Sequence, residues 1–441
     1  MDTKVLRQKV LDLAIRGKLV PQDPNDEPAS VLLERIRQQK QQMVKDGKLK
    51  AKDIKNDTII FVSEDNLHYE KFADGSVKCI EDEIPFELPD GWAWSRLGAV
   101  AEAIGDGDHQ PPPQTSFGVP FLVISNVSGG RLSFENTRFV SKEYFSQLPE
   151  TRKPRNGDLL FTVTGSYGIP VLIDSDDKFC FQRHIAIVRP CTISNRYLYV
   201  ILGSSYVKSI CDAKATGTAQ KTVGLATLRE LLIPVAPYKE QMQIYAQTQD
   251  ALSIVDSVSS DKEDLLNIIE SAKTKILDLA IRGQLVPQDP TDEPASVLLE
   301  RIRAEKEELI KQGKIKRDKK ESVIFRGEDN SYYLKTGELV ESLEDWDFEE
   351  LPGGWSVCCL GELCDYGNCT NIDTADIADS AWILDLEDIE KNSGIVLQKV
   401  RQGERNAGST KHRFHKGQVL YSKLRPYLNK VPDAVLRPAV R

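Results

Sequence analysis

Residues 238–283 read YKEQMQIYAQTQDALSIVDSVSSDKEDLLNIIESAKTKILDLAIRG. Apolar residues recur at steps of three and four throughout, which predicts one helix with a single apolar stripe. The first Gly or Pro is Gly283, and glycine suits the C-terminal cap of a helix. At about 1.5 Å per residue, roughly 45 residues span about 65 Å, which is long for a core helix. We predict a spacer or coiled-coil arm over residues 238–282; two shorter helices broken near 257–261 are the alternative.

The composition is that of a globular protein. The chain has 441 residues, enough for two or three domains, with 40% hydrophobic and 28% charged residues. The net charge of −9 does not point to a polyanion partner, although binding depends on local patches and not on totals. The sequence contains no bilayer-length apolar run, no N-terminal signal segment and no paired spacing among its eight Cys. We expect a cytoplasmic protein without membrane contact.

The strongest internal signal is a duplication. Residues 11–37 read LDLAIRGKLVPQDPNDEPASVLLERIR, and residues 277–303 read LDLAIRGQLVPQDPTDEPASVLLERIR. The 27 aligned positions differ at two pairs, Lys18/Gln284 and Asn25/Thr291. Each copy encodes a helix end, a Gly, a turn containing Pro and a second helix. The Asp-Glu-Pro triplets at 26–28 and 292–294 predict helix starts with acidic residues and Pro in the first turn.

The repeat continues beyond the helices. Each copy runs into a basic tail, residues 31–56 and 297–320, which we interpret as a solvated charged face in preference to a phosphate contact. Related β-rich segments follow, in which residues 86–92 match 348–355 and residues 157–162 match 417–422. Apolar runs bounded by turns predict strands in the first segment at 119–127, 158–163, 169–173, 185–188 and 231–235.

The two units are incomplete in complementary ways. The first copy lacks about thirty residues of the long helix, and the second β-rich segment stops at Arg441, before any equivalent of residues 179–235. We infer a circular arrangement whose closing part is absent. The helix at 238–282 is expected to pack antiparallel with whatever closes the circle, or with the short N-terminal helix.

Four motifs occur in order along the chain, and together they carry a resemblance to a known family. They are Leu88-Pro-Asp-Gly-Trp92, the run from Gly217-Thr-Ala-Gln-Lys-Thr-Val to Pro-Tyr-Lys-Glu-Gln241, Leu351-Pro-Gly-Gly-Trp355, and Gly417-Gln-Val-Leu-Tyr-Ser-Lys-Leu-Arg-Pro426. This layout resembles the specificity subunits of type I restriction–modification systems, and the resemblance covers essentially the whole chain.

The resemblance implies an α+β fold in which globular mixed α/β target-recognition domains are separated by long antiparallel conserved helices. These helices would form a coiled-coil-like spacer within a circular pseudo-repeat. The implied domains are an N-terminal conserved helical region 1–56, a linker 57–85, target-recognition domain 86–237, a helical spacer 238–320, a linker 321–344 and an incomplete second target-recognition domain 345–441.

The function implied is DNA recognition without catalysis. Such a subunit reads a bipartite site on double-stranded DNA and docks the modification (methyltransferase) subunits, with restriction (translocase and nuclease) subunits added for cleavage. Two rigidly spaced reading modules would set the gap between half-sites. The shortened second domain departs from the family pattern. It leaves open a half-specificity or inactive truncated subunit that acts by self-association through the helical spacer, or with a separately encoded second half.

Candidate DNA-binding residues lie in polar turns. The turn at 217–222 contains Thr218, Gln220 and Lys221; Gln can pair with adenine, and Lys can reach guanine or phosphate. Gln182 and Arg183 precede a predicted strand. Ordinary turn and strand-end residues are the alternative interpretation at both places. In the second domain, the candidates are Lys423, Arg425 and Tyr427.

Two further features of the first domain could contact phosphate. The turn at 164–168 contains two glycines, which allow close approach of the backbone. A basic run is predicted to contribute, at least in part, a phosphate patch. Its members are Arg131, Arg138, Arg152, Lys153 and Arg155.

Motifs for catalysis are absent from the sequence. It has no Gly-x-x-x-x-Gly-Lys-Ser/Thr, no Gly-x-Gly-x-x-Gly and no His-Glu-x-x-His. Cys358, Cys359, Cys364 and Cys369 lack the spacing of zinc ligands and are interpreted as small hydrophobes. We predict no catalytic residue, no metal and no cofactor. A methyltransferase or nuclease with an unrecognised site and a structural coiled-coil scaffold are the competing hypotheses.

Overall fold

A computed structural model of the chain describes most of its residues and divides into two compact units, Met1–Ile269 and Glu270–Arg441. The described residues are 2–108, 112–218, 220–317, 321–346, 351–364, 370–405, 407–423, 426–428 and 430–431. Within these ranges, no helix combines the length and the apolar character needed to span a bilayer. Helices and strands are mixed in both units, so the predicted α+β class is confirmed at this level.

The helices of the first unit lie at its N-terminus and in the second half of its globular part. They are α1 (Thr3–Ile15), α2 (Ala29–Lys45), α3 (Lys142–Gln147), α4 (Asn195–Leu202), α5 (Ser205–Lys214), α6 (Leu225–Glu230) and the start of α7 (Tyr238–Ile281). The side chain of Asp2 caps α1 by accepting a hydrogen bond from the Lys4 amide. Pro28 precedes α2 as its N-cap residue.

The predicted start of the second helix in each repeat is wrong in one detail. Asp26 and Glu27 lie before the first turn of α2 and not inside it, because the helix begins at Ala29. Glu27 instead reaches forward to form an ion pair with Arg35. The second copy repeats this arrangement with Glu293 and Arg301.

The long helix predicted over residues 238–282 is confirmed. α7 runs unbroken from Tyr238 to Ile281, so the alternative of a break near 257–261 is wrong. Gly283 follows with a φ of +67°, and the Gln284 amide bonds back to the Leu279 carbonyl, which closes the helix end. Most of the apolar stripe beyond Ile254 is exposed to solvent.

In the first unit, α1 lies antiparallel to α7. Arg7 forms an ion pair with Asp256, and the Thr3 and Ser259 hydroxyls lie 3.4 Å apart. Residue numbers therefore increase along α1 in the direction in which they decrease along α7.

The strands of the first unit form several small sheets. They are β1 (Ile59–Val62), β2 (His68–Lys71), β3 (Val77–Cys79), β4 (Ala93–Arg96), β5 (Ala101–Asp106), β6 (Val119–Leu122), β7 (Arg138–Val140), β8 (Leu159–Thr162), β9 (Pro170–Leu172), β10 (Cys180–Phe181), β11 (Ile185–Pro190) and β12 (Leu232–Val235). The sheet orders are β1-β2-β3, β10-β6-β7, β5-β11-β8-β9 and β12-β4. All pairings are antiparallel except β10 with β6.

The five predicted strands all occur, with different ends. The strand predicted at 119–127 is too long, because β6 stops at Leu122 and a 3₁₀ turn follows at Ile124–Asn126. In the four-stranded sheet, β8 and β11 are almost wholly buried because helices and other strands cover both faces. Arg189 on β11 holds Asp158 through two hydrogen bonds of 2.8 and 2.9 Å, a buried bidentate pair.

The second unit contains the end of α7 and a partial counterpart of the first unit. Its elements are α8 (Ala295–Lys311), β13 (Ser322–Arg326), β14 (Tyr332–Thr336), β15 (Leu339–Ser342), α9 (Leu360–Leu363), β16 (Asn371–Ile372), β17 (Trp382–Ile383), β18 (Val400–Arg401) and β19 (Lys411–His412). The three-stranded sheet β13-β14-β15 has the same strand order as β1-β2-β3. Beyond Trp355, the described residues form only two-residue ladders, so the expected likeness of the second β-rich segment to the first does not extend to the four-stranded sheet.

Candidate nucleic-acid interface

Three loops of the first unit meet at one end of its four-stranded sheet. β11 lies between β5 and β8 and is antiparallel to both, with Ala186 opposite Asp106 and Ile185 opposite Thr162. The ends of β5 and β8 therefore lie beside the start of β11. The chain leaves the sheet here through residues 107–108 and 163–168, and it enters through residues 182–184.

Backbone hydrogen bonds hold these loops against one another. The Val163 amide donates to the His184 carbonyl at 2.9 Å, and the Arg183 amide donates to the Asp108 carbonyl at 3.2 Å. At Gly107 the loops come so close that an added Cβ would lie 1.9 Å from the Phe181 carbonyl oxygen. Only glycine fits at this position without moving the backbone.

A fourth segment, residues 216–223, joins the same end of the sheet. Thr216 and Thr222 exchange two backbone hydrogen bonds, of 2.8 and 3.0 Å, which close the segment into a narrow loop. The Gly165 amide donates to the Lys221 carbonyl at 3.0 Å, and the Val223 amide donates to the Val163 carbonyl at 2.8 Å. The backbone of this loop is thus tied to the loop after β8, while the side chains of Thr218, Gln220 and Lys221 are exposed.

The structure therefore brings together three stretches that the sequence offered separately. We use "loop cluster" for residues 163–168, 182–184 and 216–223. Arg183, Thr218, Gln220 and Lys221 are exposed, and Gln182 is half-buried. Lys423 and Tyr427 belong to the second unit, where both are exposed. Arg425 lies outside the described residues.

The loop cluster presents two unneutralised cations. Within the part of the chain that the structure describes, neither Arg183 nor Lys221 forms an ion pair. Partial burial and the neighbouring Arg183 lower the pKa of His184 from its ordinary value, so the ring is neutral at neutral pH. A neutral imidazole and exposed amide side chains can each donate and accept hydrogen bonds, as base edges require.

The basic run predicted from the sequence divides into two groups. Arg152 pairs with Asp108, and Lys153 and Arg155 both pair with Glu150, so the charges of these three cations are partly neutralised within the chain. Arg131 and Arg138 are exposed.

An anchoring cluster that was not predicted from the sequence lies beside the loops. Asp108 accepts a hydrogen bond from the Tyr144 hydroxyl, and it also accepts one from Arg152 Nη1 at 3.1 Å. Burial and the Asp108 carboxylate raise the pKa of Tyr144 well above its ordinary value. The only signal in the sequence was the Gly107-Asp108 pair that ends an apolar run, since Tyr144 and Arg152 lie far along the chain. This cluster fixes the carbonyl of Asp108 that holds Arg183.

No metal centre is evident in the described residues, because none of their His, Cys, Asp and Glu side chains gather in threes with the spacing of ligands. Cys358, Cys359 and Cys364 are free thiols, and Cys369 lies outside the described residues.

Comparison with known proteins places the loop cluster inside a recognised domain. The family model for the type I restriction modification DNA specificity domain matches residues 89–267, which include all three segments of the cluster. Over these residues the chain is similar to the DNA specificity domain of the type I restriction–modification family. The match begins near Trp92 and extends into α7, so it contains the whole four-stranded sheet.

The specificity subunits to which the chain is similar include two from Escherichia coli. The chain is 31% identical to the type I restriction enzyme EcoAI specificity subunit over 416 residues, which are 83% of this chain and 63% of that protein. It is 29% identical to the EcoEI specificity subunit over 413 residues, 82% of this chain and 61% of the relative. The chain thus spans less than two thirds of the length of these relatives. The HsdS subunit from Thermoanaerobacter tengcongensis aligns with a TM-score of 0.34 and 21% identity, over 58% of this chain and 57% of the other.

Proposed function

We propose that this chain reads a DNA sequence as the specificity subunit of a type I restriction–modification complex. The observation that carries the proposal is the loop cluster: polar segments from three parts of the sequence converge at one end of a sheet, within the matched specificity domain. Their backbones are tied together, and the side chains of Arg183, Gln220 and Lys221 are exposed, which is the arrangement that base reading needs.

Roles for the cluster follow from its chemistry. Gln182 and Gln220 can pair with adenine through two hydrogen bonds, whereas Thr218 can donate or accept one. Arg183 and Lys221 can contact guanine or phosphate, and each phosphate contact makes affinity depend on salt. Asp108, Tyr144 and Arg152 are positioning residues, because they act through the backbone that holds Arg183.

We extend the proposal to the organisation inferred from the sequence. Residues 86–237 form the first target-recognition domain, and residues 345–441 belong to a second, in which Lys423, Arg425 and Tyr427 contact DNA. Residues 1–56 and 238–320 are the conserved helical regions of a spacer in a circular pseudo-repeat, with linkers at 57–85 and 321–344. The unbroken α7 and its antiparallel partner α1 support this division. Arg131 and Arg138 extend the DNA-binding surface by contacting phosphate.

The proposed partners are those of a type I complex. Double-stranded DNA binds the target-recognition domains, and modification (methyltransferase) subunits dock on the helices. Restriction (translocase and nuclease) subunits join for cleavage. The chain itself needs no cofactor and performs no catalysis, since both reactions belong to the other subunits. It acts in the cytoplasm.

The test measures DNA affinity of the full chain with its modification subunits. A duplex is first enriched by the wild-type complex from a pool with randomised sequence. The affinity for that duplex is then measured by fluorescence anisotropy over a range of salt concentrations. Replacing Arg183, Gln220 and Lys221 together by Ala should weaken binding about 100-fold, and each lost phosphate contact should reduce the salt slope by about 1.

A matched variant controls for loss of charge alone. Lys71→Ala, Lys335→Ala and Gln147→Ala together remove the same number of Lys/Arg and Gln side chains from exposed positions outside the loop cluster and the helical regions. This variant should bind as the wild type does. Failure to enrich any sequence, or equal affinity of the cluster variant and the wild type across the salt range, would overturn the proposal.

A further inference from the structure

A segment that starts and ends at the loop cluster carries the most exposed aromatic side chain of the first unit. Phe117 is 81% exposed, whereas no other phenylalanine of the described residues is more than 40% exposed. A single exposed apolar side chain is common on protein surfaces and by itself indicates no function. The position of Phe117 and the rigidity of the backbone around it distinguish it from such residues.

Both ends of this segment lie at the loop cluster. The chain leaves the cluster at Asp108, whose carbonyl accepts a hydrogen bond from the Arg183 amide at 3.2 Å. It returns at Leu122, whose carbonyl accepts one from the Gln182 amide at 3.0 Å. We use "arm" for residues 112–122. Its tip is therefore joined to the residues that we propose to read DNA.

The length of the arm sets how far Phe117 can lie from the cluster. Phe117 precedes Leu122 by five residues (122 − 117). At about 3.3 Å per residue, the two are separated by about 17 Å at most. A duplex advances about 3.4 Å per base pair, so this distance corresponds to about five base pairs. A duplex bound at the loop cluster is thus within reach of Phe117.

The tip of the arm is fixed on both sides of Phe117. The Thr115 amide donates to the Phe139 carbonyl of β7 at 2.9 Å, and the Thr115 hydroxyl donates to the Phe117 carbonyl at 2.8 Å. Gly118 has a φ of +143°, and a Cβ added there would lie 2.2 Å from the Val140 carbonyl oxygen. The turn therefore presents the ring from a rigid support, which reduces the entropy lost on binding.

The residues around Phe117 suit a nucleic acid. The arm contains no Asp or Glu, so none of its side chains repels phosphate. Arg138 lies opposite Phe121 on the neighbouring strand and is exposed. Ser116 and Gly118 flank the ring and are small, which allows the backbone to come close to a duplex. The faces of the bases are the apolar surface of DNA, and phenylalanine is one of the side chains that insert between them.

We propose that Phe117 inserts between two adjacent base pairs of the bound duplex, beside the bases that the loop cluster reads. The ring partly unstacks that step and contacts the exposed base faces. Affinity then depends on how easily the step unstacks, so Phe117 favours a pyrimidine–purine step at a position where no hydrogen bond reads the base. The proposal rests on the proposed function, because it needs DNA bound at the loop cluster.

The test uses the full chain with its modification subunits and the duplex that the wild-type complex enriches. 2-Aminopurine, whose fluorescence rises when it unstacks, is placed at one position at a time along the duplex. The wild type should raise the fluorescence at one step. F117A should abolish that rise and weaken binding about tenfold, with an unchanged salt slope because Phe117 contacts no phosphate.

A second measurement tests the dependence on the base step. At the position where the fluorescence rises, a TA step is compared with an AA step in otherwise identical duplexes. The AA duplex should bind the wild type more weakly, because this step resists unstacking. F117A should bind the two duplexes equally.

Two variants supply the controls. F117W keeps a large aromatic ring, so it should retain the fluorescence rise and an affinity within about threefold of the wild type. F72A removes a different exposed phenylalanine of the first unit and should change neither the fluorescence nor the affinity. Hydrogen exchange at the β11 amides should be the same in F117A and the wild type, which shows that the first unit stays folded.

Several outcomes would overturn the proposal. Equal affinity of F117A and the wild type, while the cluster variant still binds weakly, would overturn it and leave the proposed function intact. If the cluster variant binds as the wild type does, both are wrong. Weaker binding by F117A without a fluorescence rise in the wild type would mean that the ring contacts DNA outside the base stack. If F117A instead lowers the affinity for the modification subunits, measured by sedimentation without DNA, Phe117 contacts protein and does not insert.

Discussion

The two repeats place nearly the same sequence in different surroundings. Residues 11–37 and 277–303 differ at two of 27 positions, and both form the same turn, in which the Gln side chain donates to the carbonyl of the Gly that ends the helix. Yet Ile15 is fully buried and Ile281 is 70% exposed. In the first unit, α4, α5 and the start of α7 supply the cover, and the described residues of the second unit contain no counterpart of α4 and α5. The two repeats therefore show that the same local sequence forms the same local structure, whereas its burial depends on the elements packed around it.

The largest difference between the repeats is expected from the matched pair Ile15 and Ile281, of which only Ile15 is buried. Ile15→Ala removes buried methyl groups and should lower the free energy of unfolding of the first unit by about 2–5 kcal/mol. Ile281→Ala should change that of the second unit by about 0.5 kcal/mol at most, because the side chain is already hydrated. Hydrogen exchange at β11 amides reports the first unit, and exchange at β14 amides reports the second. Equal losses of unfolding free energy in the two units would show that burial does not distinguish Ile15 from Ile281.

A buried lysine should give the next largest difference. Lys40 is 2% exposed; its Nζ donates to the Gly98 carbonyl at 2.9 Å and pairs with Asp57 at 2.6 Å. Lys40→Met should cost about 1–3 kcal/mol because Asp57, whose pKa burial already raises, loses its partner.

The matched lysine of the second repeat is the control. Lys306 makes the equivalent bond to the Gly361 carbonyl at 2.6 Å but is partly exposed. Lys306→Met should therefore cost about 0.5 kcal/mol or less. Both values can be measured by the same exchange experiment, and a larger cost at Lys306 than at Lys40 would contradict the assignment.

The indole hydrogen bonds should differ by a smaller amount. Trp92→Phe leaves the buried Glu240 carboxylate with one donor fewer and should cost about 1–2 kcal/mol in the first unit. Trp355→Phe removes an exposed bond to an amide, so it should cost about 0.5 kcal/mol or less in the second. Urea unfolding with exchange readout distinguishes the two units. If Trp92→Phe left the free energy of unfolding of the first unit unchanged, the indole N–H would not contribute to the stability of the buried Glu240 carboxylate.

The smallest expected effect is a dependence on pH that only the first repeat shows. Burial raises the pKa of Glu240 above its ordinary 4.5, although bonds from Gln22 and Trp92 oppose the shift. The folded state then holds the proton more tightly than the unfolded state. The stability that Glu240 contributes is therefore fully present below pH 4.5 and is lost as pH rises through the folded pKa.

The sign of this effect can be checked with two variants. The difference in unfolding free energy between wild type and Glu240→Gln should fall as pH rises above 4.5, measured by urea unfolding. Gln288→Ala in the second repeat should show no such trend, because the Gln288 side chain donates to the Gly283 and Val286 carbonyls and, among the described residues, to no carboxylate. A difference for Glu240→Gln that stays constant or rises with pH would refute the shift.

Sequence patterns predicted the elements of the fold better than their ends. The 3.6-residue period from Ile244 onward, without Pro or Gly, was sufficient for α7. The apolar run at 119–127 was read as one strand, but the chain turns after Leu122 because Asn126 bonds back to the Val123 amide. Such a local side-chain bond leaves no signal in the hydrophobic period.

The residues of the candidate site were predicted from the sequence, but their proximity in the fold was not. Gln182, Arg183, Gln220 and Lys221 were chosen as polar turn residues, which is a property of local sequence. Their convergence depends on the pairing of β11 with both β5 and β8, which joins residues far apart in the chain. Asp108 and its partner Tyr144 were missed for the same reason.

By itself, the amino-acid sequence determined the helices, the turn between them and the duplication, because periodicity, glycine and proline act over a few residues. Only the tertiary structure decided which copy of the repeat is buried and which polar loops meet. Burial and convergence depend on contacts between distant segments. Identical stretches such as LDLAIRG therefore do not determine which segments pack against them.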